Sequence, residues 1–194
     1  MKHEPLFHIS EDPRIKVFEP LPAAFYADTL RHDVVFAICS KLLHNYLLPR
    51  NCPRVTYYAG PETSEADKKK FFGLSTADYI IAVESKWLLL IQRTTLYCYK
   101  FRGDTFSLLD ECAGYYISEA TVSPVSVKPV YNIMEELLKR NVELRFMPSI
   151  TEFGESVKES SLKFSLIRMQ NAQNGDTRSG EVNNSNDYWR QIVR

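Results

Sequence analysis

Six residues, Pro49-Arg50-Asn51-Cys52-Pro53-Arg54, place two guanidinium groups, a thiol and two prolines between a helix-like segment and the strand-like Val55-Thr56-Tyr57-Tyr58. Proline fixes φ and removes a backbone donor, so this segment reads as a stiff turn that aims its side chains in set directions. Two arginine forks held this way suit a phosphate or a carboxylate. The plainer reading is a connection whose arginines cap the preceding helix and pair with local acids, and the sequence leaves both open. Cys52 between the arginines becomes a candidate nucleophile if the guanidinium groups lower its thiol pKa. No histidine stands near it in sequence to act as base, and lone cysteines are more often inert packing.

A second chemical group sits on Leu6-Phe7-His8-Ile9-Ser10. In strict alternation Leu6, His8 and Ser10 share one strand face, while Phe7 and Ile9 share the other. His8 could donate to a ribose hydroxyl or a phosphate, or be a core histidine with a backbone partner. Glu11 and Asp12 could be paired carboxylates for acid-base work, but before Pro13 such acids more often shape a turn. Glu84 stands at a strand end, where an acid is usually solvated. His8, His44, Cys52 and Glu119 lack metal-ligand spacing, and no phosphate loop or nucleophile elbow occurs.

These residues need elements to position them. Strand-like runs occur at Leu6–Ser10, Asp33–Ile38, Val55–Ala59, Asp78–Glu84, Thr94–Phe101, Gly114–Ser118, Val142–Met147 and 162–169. Thr121–Val130 alternates as an edge strand interrupted by prolines. Helical spacing appears from Ser40 to Leu48, with Ser40 as N-cap, from Ser64 to Phe72, ended by Gly73, and from Asn132 to Arg140. A short helix is expected over Thr105–Asp110, and Glu84–Leu90 turns helical at an undefined boundary. The pattern predicts an α+β domain over 1–170, a bent or split, mostly antiparallel sheet with about four flanking helices. Residues 171–187 are almost wholly polar and read as a flexible linker. The aromatic 188–194 beyond them could dock on the body or on a partner.

Lys plus Arg and Asp plus Glu both number 24, so the formal charge is zero. That argues against a bulk nucleic-acid binder, which would carry a basic stripe, but leaves room for a local basic pocket. Cys39, Cys52, Cys98 and Cys112 form no CxxC pair and read as reduced thiols. The first residues have no apolar signal core, and no apolar run reaches membrane-spanning length. A soluble, cytoplasmic protein is expected.

Leu6 to Pro13, the Pro49–Val55 stretch, Arg93-Thr94-Thr95-Leu96-Tyr97 and Tyr116–Pro124 form one ordered set. Together they resemble an uncharacterised bacterial family known only as a domain of unknown function, over roughly residues 6 to 170. More distantly, the His-bearing first strand, the strand Val34–Ile38 with a tyrosine-bearing helix after it, and a late strand near Tyr115–Val122 resemble the ADP-ribosyltransferase superfamily and its RNA 2′-phosphotransferase relatives. This likeness implies an ADP-ribosyltransferase-like fold, NAD as a cofactor, and transfer of ADP-ribose or of a phosphate group from an RNA end. It assigns ribose contact to His8, nicotinamide stacking to Tyr46 and the orienting carboxylate to Glu119. The family carries that glutamate at the head of the late strand, where this chain has Gly114 and Tyr115. With His8 and Glu119 as the catalytic pair, Ser10, Tyr46, Arg50, Arg54 and Arg93 would bind the ligand, a small nucleotide or phosphate. The alternative is a non-catalytic module that recognises an anionic ligand or a protein partner through the same arginines.

Overall fold

A computed structural model describes residues 4–22 and 32–173. Of the linker expected over 171–187 only residues 171–173 are described, and the 188–194 segment lies outside the described residues. The elements run β1 (Leu6–Ser10), β2 (Val35–Cys39), β3 (Arg54–Tyr58), α1 (Glu65–Phe72), β4 (Tyr79–Glu84), α2 (Leu88–Arg93), β5 (Leu96–Phe101), β6 (Ser107–Asp110), β7 (Tyr115–Ser118), β8 (Ser126–Val130), α3 (Ile133–Leu138), β9 (Val142–Met147), α4 (Thr151–Lys158) and β10 (Lys163–Ile167). A 3-10 helix over Ser40–Tyr46 follows β2, and another over Ser85–Trp87 leads into α2.

The strands divide into two sheets, so the fold is α+β with a split sheet. The first has six antiparallel strands in the order β6-β7-β2-β1-β5-β8. The second has the order β10-β3-β4-β9 and is antiparallel except for the β4–β9 pair, which is parallel. β8 is an edge strand, which is why Pro129 is tolerated there: its missing N–H costs no ladder bond on the open side.

Alternation along the strands sorts the side chains into layers. Val55 and Tyr57 of β3 and Ile80 and Ala82 of β4 pack with Phe71 of α1 and Val157 of α4 on the outer face of the second sheet. The inner faces meet through Phe7, Ile9, Ile38, Cys98 and Tyr115 of the first sheet and Tyr58, Tyr79 and Ile81 of the second. Leu42 and Leu43 of the 3-10 helix, Ile91 of α2 and Leu137 of α3 fill the space around them. The opposite face of the first sheet carries Leu6, Val35, Ala37, Tyr99 and Phe101 under Phe18, which bridges to Val122.

Three local expectations change. Ser107–Asp110 is a strand, not a short helix; it forms a bulged hairpin with β7, and four residues gain more from that partner than from one isolated turn. The segment after β2 is 3-10, with Cys39 at the cap position and no side-chain cap, rather than an α-helix capped by Ser40. Helix α4 has no counterpart among the expected elements, because Gly154 weakens its sequence signal. That glycine lets α4 pack closely: a Cβ there would lie 3.2 Å from Met169 Cε, a tight contact, and 3.4 Å from Val55 Cγ2, an ordinary one. Helix α1 agrees with its sequence, with Ser64 Oγ accepting from the Asp67 N–H and Gly73 closing the helix at φ +61°.

Candidate functional site

Between the open edges of the two sheets lies a cleft of about 660 Å³. Tyr58 at the end of β3 and Lys163 at the start of β10 supply one wall, and Leu109 to Cys112 at the β6–β7 turn supply the other. Lys41, from the first turn of the 3-10 helix, stands with its Nζ 5.5 Å from the Tyr58 ring centroid. The phenol of Tyr58 donates to the carbonyl of Cys112 at 3.3 Å, so the ring is held across the gap. Burial pushes that phenol up to about 12, helped by the neighbouring Cys112, Tyr79 and Cys39, so it stays a neutral donor.

Lys163 is positioned by small residues. Gly60 lets the Lys163 stem lie against the backbone, where a Cβ would come within 3.0 Å of Lys163 Cγ. Thr63 secures that turn, accepting from the Gly60 N–H at 2.8 Å and donating to the Ser161 carbonyl at 3.2 Å. Neither Lys41 nor Lys163 forms an ion pair among the described residues. Two carboxylates share the lining: Asp110 accepts from the Ala113 N–H at 3.0 Å and shapes the turn, while Glu111 is exposed. The cleft thus offers two ammonium groups beside a flat ring, with the carboxylates of Asp110 and Glu111 in the same lining.

The residues singled out in the sequence fall elsewhere. His8 Nδ1 lies 3.1 Å from the Phe36 carbonyl, and its ring sits 4.9 Å from that of Phe18, on the outer face of the first sheet. Burial chiefly holds its pKa below the usual value, with the Arg50 guanidinium adding repulsion. Ser10 accepts from the Asp12 N–H at 3.1 Å and shapes a local turn, whereas Glu11 accepts from the Arg50 N–H at 2.9 Å and ties the end of β1 to the proline turn 39 residues further on. Tyr46 lies on the inner side with Tyr115, to whose hydroxyl it hydrogen-bonds. The sheet therefore stands between His8 and Tyr46. Glu119 is exposed just beyond β7, and Arg93 is exposed in the last turn of α2.

Arg54 is 2% exposed. Its Nε donates to the Asn45 carbonyl at 2.8 Å, and its Nη1 donates to those of Cys52 and Pro49 at 2.9 and 3.3 Å. The Tyr46 ring covers the guanidinium at 5.6 Å. Among the described residues no carboxylate pairs with it. Arg54 thus fastens the proline turn from within, while Arg50 stays exposed. Cys52 is wholly buried, and burial pushes its thiol up to about 12 against the pull of Arg54. That protonated thiol is unsuited to nucleophilic attack.

Glu84 is wholly buried at the end of β4, against the expectation of a solvated acid. Its Oε1 accepts from the Gln173 N–H at 2.6 Å and its Oε2 lies 2.9 Å from Lys86 Nζ. Thr151 Oγ1 donates to the Gln173 carbonyl at 2.7 Å, so the chain is clipped there from two sides. Glu84→Gln keeps an acceptor but removes the charge pairing, and is expected to lower unfolding free energy by about 1–2 kcal/mol in urea titration.

Among the described residues no group of three His, Cys, Asp or Glu side chains is placed to hold a metal, and no helix is long and apolar enough to cross a membrane. Lys41, Tyr58 and Lys163 carry no local signal in the sequence, because they occupy ordinary strand and helix positions with no shared spacing. Only the pairing of β3 with β10 makes Tyr58 and Lys163 neighbours.

Residues 7–172 match the model of a family of unknown function (DUF6886), and the chain belongs to that family. No curated protein and no solved structure matches it.

Proposed function

We propose that this member of a family of unknown function is a binding module for a small anionic ligand of nucleotide type, seated in the inter-sheet cleft. The observation that supports it is the pair of lysines, Lys41 and Lys163, which flank the Tyr58 ring without an ion pair among the described residues. Ammonium groups give the phosphates a strong partner, and the phenol ring gives a flat surface for a base. A cleft of about 660 Å³ falls in the range of small-molecule sites.

The transferase reading places NAD or an RNA end against His8, Arg50, Arg54, Arg93 and Glu119. One observation favours it: the exposed Arg50 lies within electrostatic reach of His8. Calorimetry with ADP-ribose, NAD and inorganic phosphate separates the two. Binding in the cleft predicts that Lys41→Ala and Lys163→Ala each weaken ADP-ribose about tenfold, the value of one charge-assisted contact, while Arg50→Ala binds as wild type does. Loss of binding in Arg50→Ala alone, or NAD turnover abolished by Glu119→Gln, would move the site to the first strand. Absence of binding by all three compounds to the wild type would sink both readings.

A further inference from the structure

We propose that Cys39 and Cys112 are a modification site: an oxidisable pair whose disulfide fastens the β6–β7 turn to the end of β2. Cys39 is the last residue of β2, and its backbone N–H donates to the Gly114 carbonyl at 3.0 Å. Its sulfur rests directly on Gly114, since a Cβ built there would lie 2.7 Å from Sγ. Gly114 has φ +70°, which folds the turn back towards β2. Cys112 is two residues earlier, a span of at most about 7 Å even when fully extended and shorter in a turn. Its carbonyl takes the Tyr58 hydroxyl, and that phenol responds electrostatically to both sulfurs. The Cys39 sulfur and the Cys112 residue therefore both lie at the β6–β7 turn, where Cys112 also lines the cleft.

Geometry and access disfavour the other pairings. Cys39 is opposite Leu6 and Cys98 is opposite Ile9, on opposite sides of β1. Two strand spacings, about 9–10 Å, plus a three-residue offset separate them, beyond what a disulfide spans. Cys52 is wholly enclosed, whereas Cys39 and Cys112 are both free and partly exposed. Burial pushes the thiols of Cys52 and Cys98 up to about 12 and 11, which leaves few attacking thiolates at either.

The oxidant is a small disulfide such as oxidised glutathione. The Cys112 thiolate attacks one sulfur of that disulfide, breaking its S–S bond and releasing one glutathione as thiol. The Cys39 sulfur then attacks Cys112 Sγ, forming the Cys39–Cys112 bond and expelling the second glutathione. Two electrons pass from the cysteine sulfurs to the oxidant, and the two thiol protons end on the two glutathiones. The cross-link closes a loop of about 73 residues, the difference between positions 112 and 39. Such a loop raises the thermal midpoint by roughly 5 °C or more where the turn closes without strain.

The test needs no cleft ligand, so it stands apart from the proposed binding function. The full chain is treated with oxidised glutathione, digested without reduction and mapped by mass spectrometry. The expected product links the Cys39 peptide to the Cys112 peptide. The raised melting temperature returns to its starting value with dithiothreitol. Cys39→Ser and Cys112→Ser each abolish the link and the shift, while Cys98→Ser retains both. Glutathione left on either cysteine without a cross-link, a link through Cys98 or Cys52, or no reaction at all would overturn the proposal.

Discussion

Arg54→Ala is expected to lower the free energy of unfolding by about 4 kcal/mol, the largest effect of any single substitution considered for this chain. The side chain is enclosed and donates to three backbone carbonyls, those of Asn45, Pro49 and Cys52. Removing it leaves these acceptors buried without donors and opens a hole beneath the Tyr46 ring, which the guanidinium faces at 5.6 Å. Arg54→Lys keeps the charge but offers one compact ammonium where a planar fork spans separate carbonyls, and about half the loss is expected. Urea unfolding followed by far-UV circular dichroism measures both. Stability within 0.5 kcal/mol of wild type in Arg54→Ala would mean that the guanidinium serves a ligand rather than the turn, and would reinstate it as an anion contact.

The second large effect is in pH. His44 is 2% exposed, in the 3-10 helix after β2, with its ring 4.1 Å from that of Tyr79. Burial lowers its pKa to about 4 from 6.5, and the nearby Arg140 charge pushes it the same way. A folded-state pKa below the unfolded one means that the unfolded chain takes up the proton first. The stabilisation is complete above about pH 6.5 and is lost as pH falls from there through about 4. Between pH 7.5 and 4.5 the loss amounts to about 2–3 kcal/mol. His8, also lowered by burial, contributes with the same sign. His44→Phe keeps a ring against Tyr79 and removes the proton, so its stability should fall over that interval by about 2–3 kcal/mol less than wild type. Equal falls in the two proteins would show that the imidazole takes up its proton as readily in the folded state as in the unfolded one.

The expectation for Arg54 gives it a structural role beside the anion-binding one that its residue type suggests. Arg54 looked like half of a claw for anions because an arginine after a proline turn points somewhere definite, and so it does. The direction was set by β3, whose even-numbered residues Arg54, Thr56 and Tyr58 face the first sheet, so that the guanidinium turns inward to its own turn. Tyr58, four residues on along the same face and about 13 Å away, ends beside the cleft instead. His8 and Tyr46 were both credible as parts of one pocket. Whether they meet depends on which sides of β1 and its neighbours they occupy, and the cores on either side separate them.

What the amino-acid order determined by itself was local. Alternation and β-branching marked most of the strands. Ser64 and Gly73 bounded α1, Asn132 capped α3, and the prolines assigned 121–130 to a sheet edge. These signals act over a few residues through φ restriction, caps and periodicity, so they survive without knowledge of partners. The ordered motifs also carried the likeness to a family of unknown function. Tertiary structure alone decided the rest. β6 became a strand because β7 was there to pair with it, and α4 formed because β3 and β10 were there to pack against. Glu84 was enclosed because residues 171–173 close over the end of β4. The cleft joins residues 41, 58, 110–112 and 163, which no local pattern links. The physical reason is the same throughout: burial, cross-strand pairing and desolvation are properties of neighbours in space, and those neighbours are assembled only when the two sheets close on each other.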